Sequence, residues 1–212
     1  MFIKAIFRSH KAAAGYLIYA EEGGEAAIID APLGSTGWFV ETVTNLSLTV
    51  KYIVNTHGHW DLIADNVPLV EATGATLCAH AWDSARLANP RLGVEIADEK
   101  VPPVQPSRPD QYLNDGQELE VGRLKLTVIA TPGHTPGSIC LYESNEHALF
   151  SGDTIIKHGV GTTDFPGGNA DKLRASLLKL AALPDDTRVF PAHGLATTIR
   201  EERWLLDLAK VD

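Results

Sequence analysis

The sequence predicts an α/β fold in which two sheets pack face to face, helices lie outside, and loops gather at one edge. Three observations lead there. Short β-friendly runs cluster in two halves of the chain. Each half also carries helix-patterned segments. The apolar strands of both halves run repeatedly into a histidine or an aspartate at the strand-to-loop junction. A length of 212 residues fits one domain, taken as residues 1–212, with a core of useful size.

The elements follow in order. FIKAIF, GYLIYA and EAAIID read as strands, with Glu21-Glu22-Gly23-Gly24 as a turn between the second and third. After the loop at Pro32–Gly34, a helix is expected over Thr36 to Leu46. KYIVNT is a buried strand ending at His57. Asn66 to Thr73 is helical, Gly74 ends it, ATLCAH is another strand, and residues 81–88 are helix-like. From Asn89 to Gln111 the chain is rich in proline, a long loop poised to cover a site or a partner surface and too short for a domain. ELEVGRLKLTVIAT reads as a hairpin about Gly122, and SICLYES and HALFSG continue the strands. Asn169 to Leu183 is an amphipathic helix with Leu173, Leu177, Leu178 and Ala181 on one face. TRVFPAHG is a last strand, and Ile199 to Lys210 a final helix.

Composition narrows the function classes. Apolar residues make up 44% and charged residues 21%, an ordinary balance for a soluble chain. The formal charge of −9 repels phosphate backbones and anionic lipid surfaces, which argues against nucleic acid or membrane as a main partner. No apolar run approaches the roughly 18–20 residues that span a bilayer. Arg8, His10 and Lys11 interrupt the N-terminal apolar stretch, so it lacks a signal-peptide layout. A cytoplasmic protein with a small-molecule substrate is expected, with a homodimer admitted. Cys78 and Cys140 lie within apolar runs and read as buried free thiols.

The chemical signal begins at Thr56-His57-Gly58-His59-Trp60-Asp61. Three metal-capable side chains alternate at i, i+2 and i+4. An extended segment puts them on one side, whereas a helix would fan them apart, so extended geometry is expected. Three further islands follow. His134 stands between two Pro-Gly turns in TPGHTPGS, Asp153 follows an apolar strand in FSGDT, and His193 follows another in FPAHG. Any one of these residues alone reads as a surface group, a cap or a turn former. Their joint occurrence in this order is specific.

That order and wording resemble the metallo-β-lactamase superfamily, and within it the glyoxalase-II-like hydrolases. The resemblance covers nearly the whole chain, and GTTDFPGGNADKLRASLLKLAALPDDTRVFPAHG is similar to small single-domain members. It implies a four-layer αβ/βα sandwich. It also implies one metal site at His57, His59 and His134, with Asp153 bridging to a second that Asp61 and His193 complete. Three neutral imidazoles leave an open position for water on Zn²⁺, one or two ions per chain, with Fe or Mn as alternatives. Such a water attacks an ester or thioester carbonyl, and Asp61 orients it or takes its proton.

The chain departs from that pattern in places. The family motif runs HxHxDH, and here Leu62 stands at its last position. The second site then binds metal weakly, recruits another ligand, or stays empty. His80 and His158 are the nearest substitutes, and both read better as hydrogen-bonding or surface groups. His10 and His147 read as surface or turn residues. Thr162 stands where relatives often carry an arginine. The chain stops soon after Trp204, with no room for the helical domain that holds glutathione in two-domain relatives. Trp60 is either a wall facing substrate or a core residue. Pro132, Gly133 and Pro136 shape the loop that aims His134. Asp164 and Pro166-Gly167-Gly168 either buttress the site or form a plain turn and cap.

The leading reading is therefore a metallo-hydrolase of small thioesters, esters or lactones. Two others stand beside it. One is an oxidoreductase like the persulfide dioxygenases, with iron held by His57, His134 and Asp153. The other is a degenerate member that keeps the fold without catalysis, which Leu62 motivates.

Overall fold

The computed structural model describes residues 1–8, 13–92 and 101–209. His10, residues 93–100 of the Pro-rich segment and Lys210 lie outside them.

Two six-stranded sheets form the centre. The first runs β1 (Phe2–Arg8), β2 (Ala13–Tyr19), β3 (Glu25–Ile29), β4 (Thr49–Val54), β5 (Thr76–His80) and β6 (Gln111–Leu113), in that spatial order. The second has the order β12 (Thr197–Thr198), β11 (Arg188–Pro191), β10 (Ala148–Gly152), β9 (Ile139–Glu143), β8 (Leu124–Ala130), β7 (Glu118–Val121). β3 to β6 are mutually parallel, as are β10 and β11, while the hairpins β1–β2 and β7–β8–β9 are antiparallel. Parallel neighbours need crossovers, and helices supply most of them. They are α1 (Thr36–Asn45), α2 (Trp60–Ile63), α3 (Asn66–Thr73), α4 (Ser84–Ala88) and α5 (Ala170–Leu180), with α6 (Arg203–Leu208) last.

Side-chain alternation sorts the layers. Tyr16 and Ile18 of β2, Ile29 of β3 and Val54 of β4 face Leu126, Val128, Leu141 and Phe150 of the opposite sheet. The ring of Tyr16 tilts onto Phe150 at 5.4 Å and onto Phe190 at 5.8 Å. Phe150 is fully buried, and truncating such a ring to alanine costs about 3–5 kcal/mol. Leu17, Ile28, Ile53 and Leu77 point the other way, onto Phe39 of α1 and Leu69 of α3. Leu149 and Val189 face Leu177 and Leu180 of α5 and Leu206 of α6. The result is the expected αβ/βα sandwich. β2 is apolar throughout because both of its faces are covered.

Several sequence boundaries shift. The helix expected to Leu183 ends at Leu180, and Asn169 is its cap, its Oδ1 accepting from Lys172 N at 2.8 Å. Its buried face is Leu173, Ser176, Leu177 and Leu180. Leu178 sits one step, about 100°, past Leu177 and is exposed. The last helix begins at Arg203, because residues 199–202 form turns after the short strand β12, which the sequence reading had not separated. Gln111 opens β6 where a loop was expected, and three residues give too short a pattern to read. Cys78 and Cys140 are buried and free, and burial pushes their thiols up to about 12 and about 11. Among the described residues, no helix is long and apolar enough to cross a membrane.

Candidate metal centre

The C-terminal ends of the parallel strands deliver the site, as open α/β sheets commonly do. β4 leads into Asn55–Asp61, β10 into Asp153, and β11 into His193, while the loop after β8 carries His134. All six ligand-type residues anticipated from the sequence reach this edge, in two groups.

The first group is His57, His59 and His134. His59 Nδ1 lies 3.1 Å from His57 Nε2 and 2.9 Å from His134 Nε2, and the three rings stand nearly perpendicular to one another. Tetrahedral ligands at Zn–N bonds of about 2.0–2.1 Å would stand about 3.3 Å apart, close to this spacing. Two rings are fixed from behind. His57 Nδ1–H donates to Thr56 Oγ1 at 3.2 Å, and that hydroxyl donates to Asp30 Oδ2 at 2.9 Å. His134 Nδ1–H donates to the Thr162 carbonyl at 2.6 Å. Both arrangements leave Nε2 lone pairs turned inward, as a metal-ligating histidine requires. Burial first, then the neighbouring imidazoles, pushes His57 well below its ordinary range. Burial and then His134 push His59 down to about 3. Convergent lone pairs repel one another unless a cation sits between them, so the donor set fits a divalent metal. Among the described residues these three are the group able to hold one ion.

The second group is Asp61, Asp153 and His193. His193 Nδ1–H donates to Asp153 Oδ1 at 2.8 Å, and Nε2–H donates to Asp61 Oδ2 at 3.1 Å. Burial alone would lower His193, but the two carboxylates outweigh it and raise it to about 10. Burial draws Asp61 and Asp153 upward, and the His193 hydrogen bond more than reverses that, so both stay below the usual carboxylate range. Asp153 stands between the groups, with Oδ2 3.4 Å from His134 Nε2 and 3.9 Å from His57 Nε2.

The expectation that His57, His59 and Asp61 share one extended segment needs correction. His59 is extended, with φ −70° and ψ 141°, but α2 begins at Trp60. That turn brings Asp61 onto His193 Nε2 while leaving it close enough to His59 for their charges to interact. Leu62, the departure from the family motif, is wholly buried against Ala13 and Ala192. Trp60 is buried too, which favours its core reading over a wall facing substrate.

The loop around His134 is shaped as its Pro-Gly content implies. Gly133 takes φ +145°, and a Cβ there would meet the backbone of Leu173 at 2.4 Å. Gly161 lies against His134, where a Cβ would stand 2.7 Å from Nδ1. Among the described residues Asp164 bonds only locally, accepting from Thr162 Oγ1 at 2.7 Å in a turn, and it is the neighbouring Phe165 that reaches the site, meeting His59 edge-on at 5.3 Å. Of the weaker candidates, His80 Nδ1 accepts from Trp82 N at 3.2 Å, His147 pairs with Asp186 at the surface, and His158 is exposed.

Sequence reasoning missed the supports. Asp30 ends an apolar strand just as Asp153 does, and that parallel was a usable signal. It sits at φ 59°, in the left-handed region that aspartate tolerates, and also accepts from Thr56 N at 2.8 Å. Its burial, opposed by those two hydrogen bonds, raises its carboxyl to about 8. Asp83, Arg86 and Phe165 carried no motif at all.

Comparison with known proteins agrees with this geometry. The model of the metallo-beta-lactamase superfamily matches residues 13–193. The hydroxyacylglutathione hydrolase GloC of Haemophilus influenzae is 31% identical over 192 residues, covering 88% of each chain. The mitochondrial persulfide dioxygenase ETHE1 of Bos taurus is 30% identical over 210 residues, covering 97% of this chain and 74% of that one. The crystal structure of BLEG-1 B3 metallo-beta-lactamase superposes with a TM-score of 0.89 at 28% identity, covering 99% of this chain and 100% of that one. With that match and this arrangement of histidines and aspartates, the chain belongs to the metallo-β-lactamase superfamily.

Proposed function

We propose that this protein hydrolyses a small thioester, ester or lactone with one divalent metal, zinc by preference, held by His57, His59 and His134. The observation that carries the reading is the convergence of three imidazole nitrogens beside two buried carboxylates. The hydroxyacylglutathione hydrolase among the relatives supports the reaction class. A bound ion supplies Lewis acidity and lowers the pKa of a water it binds to about 7.

The chain's own residues supply the rest. Asp61, kept ionised by His193, accepts a proton from the attacking water. His193 ties Asp61 to Asp153, so the base is held in place from its far side. Phe165 covers the edge of His59 and keeps bulk water from that flank. A single ion is favoured because Leu62 offers no lone pair to a second one. The test is a panel of thioesters, esters and lactones with zinc-loaded protein. The expected result is turnover in at least one class that His134→Ala abolishes. No turnover in any class sinks the proposal.

A second reading rests on Asp153. Its Oδ2 approaches the inward nitrogens of both His57 and His134, a two-histidine, one-carboxylate set of the kind that suits iron. The persulfide dioxygenase among the relatives gives it a reaction. Oxygen uptake by iron-loaded protein with glutathione persulfide would establish it, and no uptake would remove it.

A further inference from the structure

Asp83 ends the 3-10 turn Ala81–Asp83 that follows β5, and it is wholly buried. A buried carboxylate is costly unless every lone pair finds a partner. The partners of Asp83 come from two other loops. Gly58 N donates to Oδ2 at 2.7 Å, Thr135 Oγ1 donates to the same oxygen at 2.7 Å, and Gly137 N donates to Oδ1 at 2.8 Å. Gly58 stands between His57 and His59. Thr135 follows His134, and Gly137 lies two residues further on. One carboxylate therefore grips both loops that carry the three histidines, and none of its contacts is a ligand atom.

Two glycines mark how tight the grip is. A Cβ at Gly137 would meet Asp83 N and Cγ at 2.7 Å, and a Cβ at Gly58 would meet Asp83 Cβ at 3.2 Å and Arg86 Cβ at 2.7 Å. Both loops approach with a bare backbone where Asp83 receives them. Arg86, one turn on, stands with Nε 3.8 Å from Asp83 Oδ1. Its guanidinium donates to the carbonyls of Pro166 and Leu92, so the FPGG segment that carries Phe165 onto His59 is tied to the same point.

We propose that Asp83 is a positioning residue of the metal centre, whose carboxylate fixes the spacing between the His57–His59 loop and the His134 loop and so sets the geometry presented to an ion. The inference rests on the reading of these histidines as a metal site. Its physical basis is that groups orienting metal ligands, though not ligands themselves, typically govern affinity by about 10- to 100-fold.

Cobalt(II) reports coordination geometry through its visible absorption, which a loss of fold stability alone does not shift. The parent should bind cobalt with an intense tetrahedral-type spectrum. Asp83→Asn turns an amide N–H₂ toward one of the N–H donors it must accept from. It should shift that spectrum toward higher coordination and raise the cobalt Kd by about 10- to 100-fold in chelator competition. Thr135→Val removes one donor with little change of shape, and should shift both readouts the same way by a smaller amount. Glu202→Gln serves as the control: Glu202 is equally buried and accepts from His158 N and Thr197, touching neither ligand loop. It should lower thermal stability and leave spectrum and Kd at parental values. The proposal is overturned if Asp83→Asn and Thr135→Val keep the parental spectrum and Kd. If Asp83→Asn does not fold, parental values in Thr135→Val alone overturn it. A parent that binds no cobalt overturns the tri-histidine reading itself, and this proposal with it.

Discussion

Leu62→His would restore the histidine of the family motif, at a cost the surroundings of Leu62 set. The backbone there is pinned: Leu62 N donates to His59 O at 3.1 Å, and its carbonyl accepts from Ala31 N at 2.7 Å. Only the side chain changes. Losing a fully buried leucine forfeits about 2 kcal/mol of transfer free energy. An imidazole left without a partner among Ala13 and Ala192 adds about 1–3 kcal/mol. For a chain of this size each kcal/mol moves Tm by about 2–4 °C, so the metal-free variant should melt about 6–20 °C below the parent. Ala192 directly precedes His193, and Ala13 pairs with His193 in an isolated bridge, so the new imidazole stands beside the Asp61–His193–Asp153 group. A second ion there would give it a partner and recover about 2.7 kcal/mol at a hundredfold excess over Kd. Calorimetry with and without zinc, together with metal counting by mass spectrometry, tests this. The expected result is one ion per parent chain, two per variant, and a Tm gap that narrows with zinc. One ion in the variant and an unchanged gap would refute the reasoning.

Three further outcomes follow from the same geometry. Asp61→Asn should retain the tri-histidine ion and lose about 10²- to 10⁴-fold in kcat against whichever ester or thioester is turned over; an unaltered kcat would remove Asp61 as base. Gly161→Ala pushes a methyl group against His134 Nδ1 and the Asp153 carbonyl, and should weaken zinc by about 10- to 100-fold in chelator competition, whereas parental affinity would show that the loop simply yields. In chelator-treated protein, the folded pKa of His193 lies above its unfolded value, so its stabilisation is complete below pH 6.5 and is lost as pH rises toward about 10. Asp61 and Asp153 act with the opposite sign, because their folded pKa values are lowered, and their share is lost as pH falls through the carboxylate range. Urea midpoints from pH 3 to 10.5 should therefore fall off at both ends; Asp30, raised to about 8, shares the fall up to that pH, so a flat profile between pH 8 and 10 would contradict the role given to His193.

The fold and the ligand-type residues were legible because their signals are local. Apolar runs of strand length, a glycine after Thr73 and histidines at strand ends each act within a few residues, and the structure places them as read. Gly74 does end its helix in the left-handed conformation, at φ 67°. What stayed hidden depends on residues distant in sequence. Asp83 has meaning only through Gly58 and Gly137, which are 25 and 54 positions away. The helical swing of Asp61 depends on the packing of α2 rather than on the HxHxD spacing. Leu178 stands three residues before Ala181 and so fits its spacing, but it is one step past Leu177, and only the layer beneath decides which of the two is covered.

The inward nitrogens of the tri-histidine group come from both halves of the sandwich, two from the loop after β4 and one from the loop after β8. Neither half can assemble the trio alone, since the trio exists only after the two sheets have docked. An ion bound there acts as a rivet across that seam and binds the folded chain in preference to any partly folded one. Zinc should accordingly slow unfolding while leaving early collapse untouched. Uptake of the ion would then mark the last stage of folding, when the interface between the sheets has closed.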